Sequence, residues 1–394
     1  MTCNCSVPPW VRQRTTMLAL LLGATGSPLA AQSGSGLDIS VHATLLMSGF
    51  RNSGRFNNAD VPTVALLGTT GSAFGGTVRQ TRVGLTAAHE SVLGGRLFAE
   101  LDADFFGGQQ PSGGGRTHPL LRIRRAYAEI RWPTATLLVG QESPALFGVS
   151  PRSVAASGFP QLASAGNLWL WLPQIRLTKW FGEDPARLRV GLEGALVAPN
   201  GGEPVDPFLT QPDLAEQSGR PNLEGRILAR WRQGGRDGEI GVGGHLGWVG
   251  PEASRVTSHA VGASVVAPMG SVFEVRGEVF SGQALAGLGG GGIGQNLLVG
   301  EPVETKGGWI QAVLLPSKEV EVGLSAGVDD PDDGPLPTTA RFRNRAVAAN
   351  LTWRRAPVVA GFEFRRITTD YRTPAVAVVK ARGSHLHLGV GIEF

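Results

Sequence analysis

Arginines and carboxylates spaced two apart are the residues best able to do chemistry in this chain. Arg82, Arg96, Arg176, Arg187, Arg189, Arg226, Arg230 and Arg276 fall on the polar side of segments whose alternate positions are apolar. Glu100, Asp102, Asp104, Glu193, Glu224, Glu274, Glu278, Glu321 and Glu363 share that side. A guanidinium stays charged and presents a planar fork that matches a carboxylate. Along an aqueous path, a constriction rich in such groups concentrates small anions and lowers their barrier to passage. The carboxylates on the same side allow a second reading, in which the arginines neutralise the wall and hold its cross-section. A weak anion preference is the expectation.

Other constellations carry less. His385 and His387 face one way, as two metal ligands could, but no further His or Cys lies near them, so no metal is expected. Asp329, Asp330, Asp332 and Asp333 lack the full ligand spacing of a calcium loop and read as a solvated charged surface. Gly287 and Gly289 to Gly292 are not followed by a phosphate-binding lysine. Ser, His and Asp are too scattered to nominate a triad. Neither an enzyme nor a cofactor is expected.

The elements that must position these residues are strands. Glycine is 57 of 394 residues, about twice ordinary usage, and charged residues are only 17%. No apolar run reaches about 18 residues, which argues against a helical span. The formal charge of +4 is small, so the pI of 9.5 does not demand a nucleic-acid partner. Arg12 and Arg14 precede the apolar run Met17 to Leu22, and Leu29-Ala30-Ala31-Gln32 follows. Residues 1–31 thus read as a secretory signal, with residues 32–394 as the mature domain. Cys3 and Cys5 fall in the leader, leaving the mature chain without a thiol.

Period-two alternation recurs throughout. Leu97, Ala99, Leu101, Ala103 and Phe105 oppose Arg96, Phe98, Glu100, Asp102 and Asp104, and carboxylates at this density need water on their side. The last segment, His385 to Phe394, alternates equally well and should close against the first, Leu37 to Gly49. Sixteen such segments are counted, with Thr77 to Ala88 as the second and Arg187 to Val197 as the seventh. Links after even strands are short, as at Trp132 to Thr134, and those after odd strands are long, as at Glu142 to Trp171 and Ser281 to Gly307. That asymmetry predicts an all-β, transmembrane antiparallel barrel with short periplasmic turns and long extracellular loops. Trp231, Trp248, Trp353 and Phe394 lie near strand ends, where an aromatic girdle would sit. Gly241, Gly243, Gly262 and Ser264 favour an open, wet interior, and the irregular Glu142 to Trp171 stretch is long enough to fold into it. Strand four, Leu120 to Arg131, breaks parity: if Arg125, Tyr127 and Glu129 face inward, Arg122 and Arg124 face lipid. Either a bulge resets the parity or those arginines meet another subunit or headgroups.

Four stretches carry a family resemblance. Thr81-Arg82-Val83-Gly84-Leu85, the run Phe98 to Phe106, the run Leu121 to Glu129, and Leu138-Val139-Gly140-Gln141 resemble the front half of Gram-negative trimeric porins of the DcaP-like group. The resemblance implies a water-filled, sixteen-stranded homotrimer in the outer membrane, an inward third loop, and diffusion of small hydrophilic solutes such as dicarboxylates. It places Arg122, Arg124 and Arg125 in a basic cluster, at least one of them lining the pore. It makes Phe394 the signal for the outer-membrane assembly machinery, and lipids with a lipopolysaccharide-type outer leaflet the surroundings. Only Gln32 to Gly36 separate the expected cleavage point from strand one, without the coiled-coil extension of some members, so trimerisation would rest on the barrel walls. The competing expectation is a non-conducting barrel that presents loops for adhesion or structure.

Overall fold

The computed structural model describes residues 36–68, 71–108, 118–182, 188–202, 211–298, 300–332, 336–337, 340–373 and 378–394. The leader expected over residues 1–31 lies outside them, as do Arg187 and Asp333. Sixteen antiparallel strands close into one barrel. They are β1 (Leu37–Asn52), β2 (Arg82–Val92), β3 (Gly95–Asp104), β4 (Arg122–Trp132), β5 (Ala135–Glu142), β6 (Leu172–Phe181), β7 (Arg189–Val197) and β8 (Asn222–Gln233). The second half is β9 (Arg236–Val249), β10 (Val256–Met269), β11 (Phe273–Gln283), β12 (Glu304–Leu314), β13 (Val320–Pro331), β14 (Arg341–Arg355), β15 (Val358–Tyr371) and β16 (Val379–Glu393). Closure runs from Thr44 opposite Glu393 to Asn52 opposite His385, and Phe394 exchanges backbone hydrogen bonds with Ala43. A closed ladder leaves no edge within the paired wall, which a chain surrounded by lipid requires.

Alternation dictates which face is which. Leu386, Leu388, Val390 and Ile392 are exposed on the exterior, while His385 and His387 between them are buried in the lumen. Tight hairpins join the strands at one end; the β8–β9 turn uses Gly234 and Gly235, whose φ values of 60° and 78° give the twist a two-residue hairpin needs. At the other end the long loops turn back inside, so the apolar packing lies in the lumen rather than between layers. Ala145, Leu146, Phe147, Leu168 and Leu172 pack there with Leu285 and Leu288 from the β11–β12 loop.

Three departures from the expected strands have local causes. The second segment is split: Ala73–Thr77 pairs with the long-loop half of β1, β2 pairs with its short-turn half, and Val78 to Thr81 form a turn between them. Thr81 Oγ1 accepts the Leu46 N–H at 3.0 Å, replacing a ladder bond. β16 starts at Val379 rather than His385, its first turn of alternation having been hidden by Lys380 and Arg382 on the outer side. Finally, Asp329 and Asp330 belong to β13 rather than to a solvated loop. Asp329 is 1% exposed and accepts hydrogen bonds from Thr305 Oγ1 at 2.5 Å and the Ile293 N–H at 3.0 Å, fastening the glycine-rich β11–β12 loop.

Candidate functional site

The strand-four conflict resolves in the ladder between β3 and β4. Asp102 pairs with Arg125 and Ala103 with Ile123, so Arg124 is the extra residue of a bulge. One inserted residue resets side-chain parity. Arg122, Arg124 and Arg125 therefore all enter the lumen, while Ile123 remains exposed on the exterior.

There they meet the β3 carboxylates. Arg122 clasps Asp104 with Nε and Nη2 at 3.0 and 2.7 Å, and Arg82 clasps Asp102 at 3.2 and 2.9 Å. Arg124 sits between the two acids at 3.4 and 3.5 Å, its guanidinium 4.5 Å from the Trp171 ring centroid. Arg125 bridges Glu142 at 2.7 Å and Glu100 at 3.0 Å, and Tyr127 donates its hydroxyl to Glu100 at 3.1 Å. Asp102 and Asp104 are fully buried. Guanidinium groups rather than water satisfy them, which corrects the expectation of a hydrated carboxylate wall.

Residues 143–171 cross the lumen and are braced from several walls. Gln80, in the broken second strand, donates to Ala155 O at 2.9 Å and accepts from the Gly158 N–H at 2.7 Å. Across the barrel, Gln311 of β12 makes the same two-way amide pair with Arg152, at 2.9 and 2.7 Å. Carboxylates hold the rest: Glu224 accepts from the Leu146 N–H, Glu278 from the Val149 N–H, and Glu363 from Ser153 and Gln161. The small wall residues make room for these parts instead of leaving the interior open. Gly262 lies under the Phe147 ring, Gly241 and Gly243 lie against Arg226, and Ser264 accepts from Arg226 at 2.7 Å.

Among the described residues, two open cavities lie side by side on the short-turn side of the loop. One, ≈ 610 Å³, is lined by six arginines and three carboxylates, including Arg82, Arg124, Arg152 and Glu321, with Trp171 beside them. The other, ≈ 870 Å³, is lined by eight arginines and five carboxylates. Arg125, Glu142, Ser143, Gly148, Ser150 and Arg276 line both, so the two adjoin.

The expected residues separate accordingly. Arg176, Arg189, Arg226 and Arg230 line the larger cavity; Arg226 and Arg230 share Glu239, and the guanidinium groups of Arg189 and Arg230 lie 4.8 Å from the Trp180 ring. Arg276 binds Glu274 and the Ser150 carbonyl. Asp102, Asp104 and Glu100 stand behind the arginines and line neither cavity, and Arg122 is spent on Asp104 and Gly158 O. Arg96 is a correction: it sits at the short-turn rim, exposed and paired with Glu90 at 3.0 Å. Of the aromatic residues, Trp231 lies against Gly238 near the short turns, as Trp353 and Phe394 lie exposed at that end, and Trp248 lies at the long-loop end, 5.3 Å from Arg220. His385 Nδ1 approaches Asn52 Oδ1 at 2.7 Å, and no group of three metal-ligating side chains occurs among the described residues.

Sequence reasoning missed Arg152, Arg354, Trp171 and Trp180. Trp180 was within reach, because it shares parity with Gln174, Arg176 and Thr178 on β6. Arg152 and Trp171 had no periodic signal around them.

No family model matches the chain, and no curated protein does. Solved structures share its fold. The outer membrane channel DcaP of Acinetobacter baumannii superposes with a TM-score of 0.66 at 16% identity, over 92% of this chain and 99% of that one. An anion-selective porin from Comamonas acidovorans gives 0.56 at 10% identity, over 91% and 100%. OprB of Pseudomonas putida, in its high-pH structure, gives 0.52 at 11% identity, over 98% and 97%. The fold is that of a sixteen-stranded porin-type barrel.

Proposed function

We propose that this chain is a passive diffusion pore of the bacterial outer membrane, admitting small hydrophilic solutes and favouring anions such as small carboxylates. One observation carries the reading: two adjoining polar cavities inside a lipid-compatible barrel, each lined by more arginines than carboxylates. The depth of the groups matters as much as their number. On β3 and β4 the carboxylates are recessed and the guanidinium groups stand between them and the cavity, so a dissolved anion meets positive charge at the shorter distance. No bond-making step is involved, and the alternation of apolar exterior and polar lumen suits a water-filled path across a bilayer. The anion-selective porin among the similar structures is in keeping with this preference. A homotrimer built through the barrel walls forms part of the proposal, and crosslinked protein that runs only as a monomer in mild detergent would count against it.

A second reading rests on the packed loops. Residues 143–171 and 284–298 fill the long-loop half with apolar side chains, as a barrel that only presents surface loops would require. Liposome swelling separates the two. Proteoliposomes that swell in small sugars and in succinate support the pore. Folded protein that leaves them impermeable to both supports the closed barrel.

A further inference from the structure

The exterior is not uniform at its long-loop end. On one flank a straight row across four strands, Ile175, Leu196, Leu223 and Leu246, is exposed and apolar. On the other flank the outward positions of β14 to β16 and β1 carry cations. Arg345 lies opposite Thr368, which lies opposite Arg382, and Arg366 lies opposite Ser384 one outward position nearer the middle of the barrel. Lys380 lies across from Asp370, and Arg51 lies across from Leu386 on the closing side. Arg345 is bound to Asp370 at 2.8 Å, while Arg51, Arg366, Lys380 and Arg382 have no ion pair among the described residues. Arg366 donates to Ser384 Oγ at 2.9 Å. Toward the barrel middle the same parity continues as Phe364 opposite Leu386 and Phe362 opposite Leu388, all four exposed.

Arginine held among acyl chains is costly, so this row must stand at headgroup level, with the aromatic pairs beneath it in hydrocarbon. Two strand spacings place Arg345 and Arg382 about 10 Å apart. We infer that the exterior of β14–β16 is a docking surface for a phosphorylated lipid of the outer leaflet. Arg366, Lys380 and Arg382 take the phosphates, Arg51 flanks them, and acyl chains lie along Phe362, Phe364, Leu386 and Leu388. Charge complementarity selects this occupant over a second copy of the chain, in which the outward acids at that end, Glu304 and Asp330, stand among Lys306 and Arg343, with Asp330 bound to Arg343 at 2.8 Å; an apolar contact would instead use the Ile175 row.

The inference rests on the membrane reading above, and the test separates the two. The mature protein is inserted into lipid nanodiscs and then exchanged into detergent containing bisphosphorylated lipid A, and the bound lipid is counted by native mass spectrometry. A chain that fails to insert contradicts the membrane reading and the inference with it. For the inserted protein, the expected result is retained lipid A, at least tenfold less retention of its dephosphorylated form, and a similar loss in the R366A/K380A/R382A variant. Arg96→Ala, at the opposite rim, should retain lipid as the unaltered protein does. Equal retention of phosphorylated and dephosphorylated lipid by the unaltered protein overturns the inference without relying on any variant.

Discussion

Two walls of the lumen use the same residues in opposite order of depth. On β2 to β4, Asp102 and Asp104 are recessed, while Arg82, its side chain 32% exposed, reaches the smaller cavity. On β8 and β9, Arg226 is the recessed group at 7% and the Glu239 carboxylate stands in front of it at 20%. Counting charges along strands makes these walls equivalent. What a solute meets differs, because a field in a partly desolvated site depends on which charge is nearer.

The comparison can be broken most severely through the recessed acids. Asp104→Ala strips a fully buried carboxylate from Arg122 and Arg124 and should cost about 3 kcal/mol, the scale of breaking a buried pair from one side. Glu239→Gln should cost about 1 kcal/mol, since Arg230 is largely hydrated and Arg226 keeps Ser264. Heat-modifiable migration in gels reads both, and equal losses would remove the distinction.

A smaller effect sharpens it. Arg124→Ala leaves Asp102 and Asp104 in the grip of Arg82 and Arg122, so the barrel should stay folded while its zero-current potential moves toward cation preference. Arg226→Ala should move that potential less, because the more exposed Glu239 on the same cavity wall offsets its charge. Trp171→Ala removes the ring under Arg124, a contact on the order of 1 kcal/mol, and should raise conductance modestly with little loss of fold. The smallest effect is expected at the rim. Arg96→Ala should change stability by about 0.5 kcal/mol or less and leave selectivity unaltered, as for an exposed pair.

The barrel was legible because its faces obey period two from Leu37 to Phe394, and because glycine turns mark one end. The strand that broke parity, β4, was legible only as a conflict. A bulge has no residue signature of its own, and Arg124 could be placed only once its partner across the ladder was known. Parity equally hid the start of β16, where Lys380 and Arg382 are outward residues at a height where headgroups replace hydrocarbon. Gly241, Gly243 and Gly262 taught the reverse lesson. Small residues on an inner face read as open space, yet they are the hollows that admit Arg226 and Phe147. Arg152 and Trp171 were invisible because a loop that crosses the lumen takes its shape from the wall around it, through Gln311 and the β4 arginines, and not from its own pattern.

The central claim is an arginine-fronted, anion-preferring path, and the direct measurement is the zero-current potential of single channels in a planar bilayer under a potassium chloride gradient. Stable conductance steps with a potential of anion-selective sign, reduced in Arg124→Ala, are the predicted result. Folded protein that gives no steps, or steps of cation-selective sign, would contradict the account.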